Sequence, residues 1–153
     1  MRRKHPVIPN IDQYVLLLRN KGLKATPQRL AVHEAMIALG HASADMVCEW
    51  IAANSGQPIS TASVYNILVQ MTEINIYGRR MSPDNKMYFD IDPTRHLHLY
   101  DSKSGQYKDY IDPELSLMVE DHLKHRKIKG YRMEGVDIQI VVRPTRQLRP
   151  KTE

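Results

Sequence analysis

Between residues 11 and 71 the chain is cut by stop and cap residues into four helix-length pieces, and this order restricts the fold more than any other feature. Tyr14, Val15, Leu17 and Leu18 fall on one face of a helix predicted from Ile11 to Lys21, which Gly22 stops. Thr26 is placed to cap a second helix, and Pro27 at its first position forfeits no hydrogen bond. That helix runs to about Leu39 with Leu30, Val32, Ala35 and Met36 or their neighbours inward, and Gly40 ends it. His41-Ala42-Ser43-Ala44-Asp45 starts a third, with Ser43 as cap and Val47, Trp50 and Ile51 inward, before Asn54-Ser55-Gly56-Gln57-Pro58 breaks the chain. A fourth begins near Ser60, its apolar residues at 64, 67, 68 and 71 forming one face.

Two short runs follow, Ile76–Met81 and Lys86–Phe89, separated by the turn signal Ser82-Pro83-Asp84-Asn85. Helices followed by a basic hairpin describe a winged helix-turn-helix, with Arg79, Arg80 and Lys86 on a wing near backbone phosphates. Ser60, Thr61, Ser63, Tyr65 and Asn66 front the fourth helix. Small polar groups at a helix N-terminus suit phosphate and base-edge contacts, although the same front also fits a solvated surface.

Further along, His96-Leu97-His98-Leu99-Tyr100 alternates like a strand, which turns His96 and His98 to one face. Asp90, Asp92, Asp101 and Asp109 lie around them in sequence. Imidazole nitrogen with carboxylate oxygen suits a divalent transition metal, while H-x-H alone also fits a solvated polar strand. Gln106–Tyr110 is the antiparallel partner, turned at Ser102-Lys103-Ser104-Gly105. Asp112-Pro113-Glu114 opens a helix with Leu115, Met118, Val119 and Leu123 on one face and a basic end over Lys124–Lys129, where His122 and His125 read as surface residues. Gly135–Val142 reads as a last strand, a candidate for a dimer core. Residues 1–10 read as a loose basic arm, and the tail from Arg143 as disordered and basic.

Composition narrows the function classes. Twenty-two Lys and Arg against 17 acids give a net charge of +5 in 153 residues, which favours an anionic partner. Apolar runs are only a few residues long, so no membrane span is expected, and the basic start lacks the apolar region of a secretory signal. The single cysteine, Cys48, excludes an internal disulfide and a zinc site built from several thiolates. Cytoplasmic residence is the economical inference.

The chain resembles the ferric uptake regulator (Fur) family of metal-responsive bacterial repressors. The resemblance rests on G-L-K-A-T-P-Q-R at 22–29, H-A-S-A-D at 41–45, I-S-T-A-S-V-Y-N at 59–66 and H-L-H at 96–98, in family order and spacing over roughly residues 12–142. It implies an α+β fold: a winged helix-turn-helix DNA-binding domain with its arm (residues 1–88), then a small α/β dimerisation and metal-sensing domain (89–153). It implies a regulatory metal held by His41 at the end of the second core helix, Asp90 at the hinge, and His96, His98 and Asp109. With nitrogen and oxygen donors only, Fe(II), Mn(II) and Zn(II) are all acceptable. The expected DNA-contacting set is Lys24, Arg29, Ser60, Thr61, Ser63, Tyr65, Arg79 and Arg80.

Departures from the family pattern are as informative. A C-x-x-C pair expected after the second histidine reads Asp101 and Ser104, and a second pair is replaced by V-V-R-P-T-R, so a four-cysteine structural zinc is excluded. Arg95, Leu97 and Gly135 stand where a further family site would need ligands. The implied protein is a homodimeric, metal-dependent regulator binding double-stranded operator DNA at metal-uptake or oxidative-stress genes, and not an enzyme. Two alternatives remain open: a regulator of this fold sensing a metal-bearing cofactor, and a metalloenzyme using the His/Asp site. The second lacks any motif for a substrate pocket or general base.

Overall fold

In the computed structural model, which describes residues 8–94 and 96–145, local capping chemistry accounts for where the helices begin. Asn10 caps α1 (Ile11–Asn20) through a reciprocal box with Gln13, each side chain taking the other's backbone N–H. Thr26 accepts from the Arg29 N–H at the head of α2 (Pro27–Leu39), with Pro27 at its start. Ser43 caps α3 (Ala44–Ser55) and Ser60 caps α4 (Thr61–Glu73) in the same way. The starts of α2, α3 and α4 coincide with the caps visible in the sequence, whereas the Asn10 box was not singled out there.

The chain divides into two compact units, Met1–Thr94 and Arg95–Glu153. The first holds α1–α4 and a three-stranded antiparallel sheet in the order β1-β3-β2, with β1 at His41–Ala42, β2 at Gly78–Met81 and β3 at Met87–Asp90. Its core gathers Tyr14 and Leu18 from α1, Val32 and Met36 from α2, Val47 and Ile51 from α3, Val64, Leu68 and Met71 from α4, and Phe89 from β3. Burying each large apolar side chain contributes about 1.5–3 kcal/mol before entropy is counted. Leu30 and Trp50, expected inward, are partly buried against this core.

His33 is the unanticipated core residue. It is fully buried and stacked on Tyr14 at 4.0 Å between ring centroids, with the Tyr77 ring parallel to it at 5.8 Å. Its Nε2 lies 2.7 Å from the Pro9 carbonyl oxygen, which only accepts, so Nε2 carries the proton and donates. Nδ1 then accepts from the Tyr77 hydroxyl at 2.6 Å. Burial holds the imidazole below its ordinary pKa of 6.5, opposed by the hydrogen bond to Pro9. Burial likewise pushes the Tyr14 hydroxyl up to about 12.

His41 departs from expectation. It does not end the second helix but lies in β1, directly opposite Asp90 of β3. Gly40 at φ 72° turns the chain out of α2, and its carbonyl accepts from the Ile91 N–H at 3.0 Å, so the next two residues run extended along β3.

The second unit has a three-stranded sheet in the order β5-β4-β6, formed by β4 (Leu97–Asp101), β5 (Gln106–Tyr110) and β6 (Gln139–Val142), with α5 (Pro113–Lys124) between β5 and β6 in sequence. β4 pairs antiparallel with β5 and parallel with β6. The last strand is half the predicted Gly135–Val142, because only Gln139–Val142 face the ladder offered by His98–Asp101. The face expected to bury α5 is also weaker than predicted: no α5 residue is buried, and Met118 is 63% exposed. The arm and basic tail lie largely outside the described residues.

Candidate metal centre and DNA-binding face

Residues opposed across an antiparallel ladder project to the same side of the sheet, and this pairing rule builds both parts of the His/Asp constellation. In the first unit, His41 and Asp90 are such partners. His41 Nε2 lies 3.1 Å from Asp90 Oδ2, and the Asp90 residue is only 1% exposed. The other carboxylate oxygen, Oδ1, accepts the Asp92 N–H at 2.9 Å, which fixes the rotamer and leaves Oδ2 directed at the imidazole.

In the second unit, His98 and Asp109 are register partners on β4 and β5. Asp109 Oδ1 lies 3.6 Å from His98 Nε2 and 2.9 Å from His96 Nε2. The two imidazole centroids are 4.1 Å apart, and one ligand atom from each of His96, His98 and Asp109 lies within 4.8 Å of the others. His98 is fully buried, whereas the Asp109 side chain is about half exposed. His96 stands just before the first residue of β4 but still faces Asp109. The first unit's pair offers one imidazole nitrogen and one carboxylate oxygen and the second unit's trio two imidazole nitrogens and one carboxylate oxygen, donor types that fit a borderline divalent ion.

The other two aspartates do local work. Asp92 Oδ1 accepts from the Thr94 N–H and hydroxyl at 2.9 and 2.6 Å. Asp101 Oδ1 accepts the Lys103 and Ser104 N–H groups in the β4–β5 turn, and these bonds, that from Lys103 foremost, hold its carboxyl below the usual range.

The expected DNA-contacting residues fall into different environments. Lys24, Ser60, Thr61 and Arg79 are exposed, and Tyr65 is 41% exposed, its ring standing edge-on to Phe89 at 6.0 Å. Ser60 is also the α4 cap, and its hydroxyl donates to that of Ser63 at 2.9 Å. The Arg29 guanidinium donates to the Lys24 carbonyl at 2.7 Å and to Gln70 Oε1 at 2.9 Å, so it ties the segment before α2 to α4. Arg80 differs most. Strand alternation sends it to the opposite face from Arg79, where its side chain is 8% exposed and Nη2 lies 3.5 Å from Asp90 Oδ2. That neighbour escaped the sequence reading, although the period-two pattern of Gly78-Arg79-Arg80-Met81 carried the signal.

A winged-helix unit followed by a small α/β unit, with His/Asp donors in both, defines a DNA-binding regulator of the metal-responsive class. Residues 20–140 match the ferric uptake regulator family, and the chain belongs to that family. The peroxide-responsive repressor PerR of Staphylococcus saprophyticus is 28% identical over 127 residues, covering 81% of this chain and 85% of that protein. Among solved structures, the Vibrio cholerae ferric uptake regulator superposes with a TM-score of 0.71 at 20% identity, covering 86% of this chain and 99% of that one. The Helicobacter pylori regulator, described with three functional metal-binding sites, superposes at 0.69 and 18% identity, covering 92% and 95%. At these identities the structural likeness carries the fold.

Proposed function

We propose that this protein is a cytoplasmic, homodimeric transcription regulator that binds double-stranded operator DNA when a single divalent metal is held by His41, Asp90, His96, His98 and Asp109. The observation that carries the reading is the split donor set. His41 and Asp90 alone are a two-donor site, and His96, His98 and Asp109 alone a three-donor site. Together they supply the five ligands the family's regulatory site uses. A bound ion would contribute a Lewis-acidic centre that ties these donors into one unit, and its binding energy would favour the arrangement that binds operator. Fe(II), Mn(II) and Zn(II) all suit the donors. Zinc binds such ligands more tightly than iron, so cellular supply decides which is used.

Toward DNA, Ser60, Thr61, Ser63 and Tyr65 on α4 would meet the major groove, with Lys24 and Arg79 at backbone phosphates and Arg29 holding the surface in shape. The net charge of +5 supports an anionic partner. A second copy of the chain is supported by the exposed apolar residues of the second unit, among them Leu117, Met118 and Val141. No described helix is long and apolar enough to cross a membrane. An enzymatic role is not part of the proposal, since family members are regulators and the donor set serves a switch.

The test compares metal affinity with operator affinity. His96→Ala removes one of three clustered donors, and both metal binding and metal-dependent operator binding should be lost. His41→Ala should leave weak metal binding at the other ligands but abolish the metal's effect on operator affinity. Parent-like, metal-dependent operator binding by the His41→Ala protein would refute the five-ligand switch.

A further inference from the structure

Arg80 shares its carboxylate oxygen with the proposed metal site. Asp90 is almost wholly buried, Oδ1 is engaged by the Asp92 N–H, and Oδ2 is approached by His41 Nε2 at 3.1 Å and by Arg80 Nη2 at 3.5 Å. Burying a charged carboxylate is costly without nearby positive charge or hydrogen-bond donors, and the Arg80 guanidinium is a permanent cation beside this one. Arg80 is itself largely withdrawn from solvent, so its charge is poorly screened at the site.

We propose that Arg80 is an affinity-setting residue of the metal switch: it is the internal counter-ion of Asp90 in the metal-free protein, and an incoming divalent ion has to compete with it for Oδ2. The proposal rests on Asp90 being a metal ligand, as argued above. The guanidinium has two opposed effects on the two states. It stabilises the ion-free protein by compensating Asp90, and it disfavours the loaded protein by placing a positive charge beside a second cation. Both effects weaken metal binding, so Arg80 raises the metal concentration at which the switch engages. This also explains why a cation on the wing strand faces away from the exposed side on which Arg79 stands.

The two states give separate readouts. Zn(II) and Mn(II) affinities of purified full-length protein, measured by competition with a chromophoric chelator, should rise about tenfold or more in Arg80→Gln, an effect in keeping with removal of a poorly screened charge a few ångströms from the ion. The melting temperature of the metal-free protein should fall, and the increase produced by saturating metal should exceed the parent's. Arg80→Met fills similar space without charge or donors and should shift affinity in the same direction, which guards against failure of one variant to fold. In an Asp90→Asn background, Arg80→Gln should strengthen metal binding less than in the parent, because the competition for Oδ2 is gone and only the repulsion between guanidinium and ion remains to be relieved. If Asp90→Asn alone leaves metal affinity unchanged, the ligand assignment fails and this inference with it. If Asp90→Asn weakens metal binding but neither Arg80 variant strengthens it, the ligand assignment stands and the role given to Arg80 is wrong.

Discussion

The two units solve the problem of burying apolar surface differently. The first, Met1–Thr94, carries the whole of the main hydrophobic cluster, with fully buried side chains drawn from every one of its helices. The second, Arg95–Glu153, buries Leu97, His98, Tyr100 and Tyr107 on its sheet but leaves α5 without a single buried residue. Ile111, Leu117, Met118 and Val141 are all more than half exposed. Exposed apolar surface of this extent suits contact with another surface, whereas the first unit, despite an exposed Leu16, buries a large cluster within its own chain. The difference agrees with the proposed division of tasks, in which the first unit reads DNA and the second assembles and senses metal.

The largest expected effect breaks the first half of this contrast. Phe89 of β3 is fully buried in the core cluster with the helices, and Phe89→Ala should lower stability by about 3–5 kcal/mol in denaturant unfolding. A loss below 1 kcal/mol would mean that the first unit is not close-packed as described. The second half is sharpened by Met118→Asp combined with Val141→Asp, at positions 63% and 55% exposed. These changes should leave helical signal intact but weaken self-association in sedimentation by roughly 2 kcal/mol or more, the order expected for burying unpaired polar groups. Unchanged association would show that this apolar face is not where copies meet.

The smallest effect concerns pH. Because burial lowers the His33 pKa in the fold, the unfolded chain takes up a proton at this side chain before the folded one does. The stability that neutral His33 contributes is therefore complete above its ordinary value of 6.5 and is lost as pH falls through the depressed folded value. Metal-free parent should lose melting temperature between about pH 7.5 and 5.5, and His33→Gln should lose less over the same interval. The comparison with the variant removes the contribution of the other histidines. Equal losses in the two proteins would contradict a neutral, buried His33.

Much of the first unit was legible because its signals are local. Thr26-Pro27, Ser43 and Ser60 act on N–H groups within three residues, so their capping roles can be read without knowing what the helix packs against. The alternation of His96 and His98 was legible for the same reason. His33 was not, because an imidazole enters a core only if partners such as Pro9 and Tyr77, remote in sequence, satisfy both nitrogens. The α5 face was over-read, since periodicity specifies an apolar stripe but not whether the same chain covers it.

By itself, the sequence determined the helix order, the hairpin, the donor types and the exclusion of a cysteine-built zinc site, since each follows from neighbouring residues or a simple count. Only the tertiary structure decided that His41 faces Asp90 across a two-residue strand, that β6 begins at Gln139, and that adjacent Arg79 and Arg80 have separate surroundings. Those outcomes depend on strand register and on which face of a sheet meets the core, and a one-residue change in register exchanges the faces without altering any local signal.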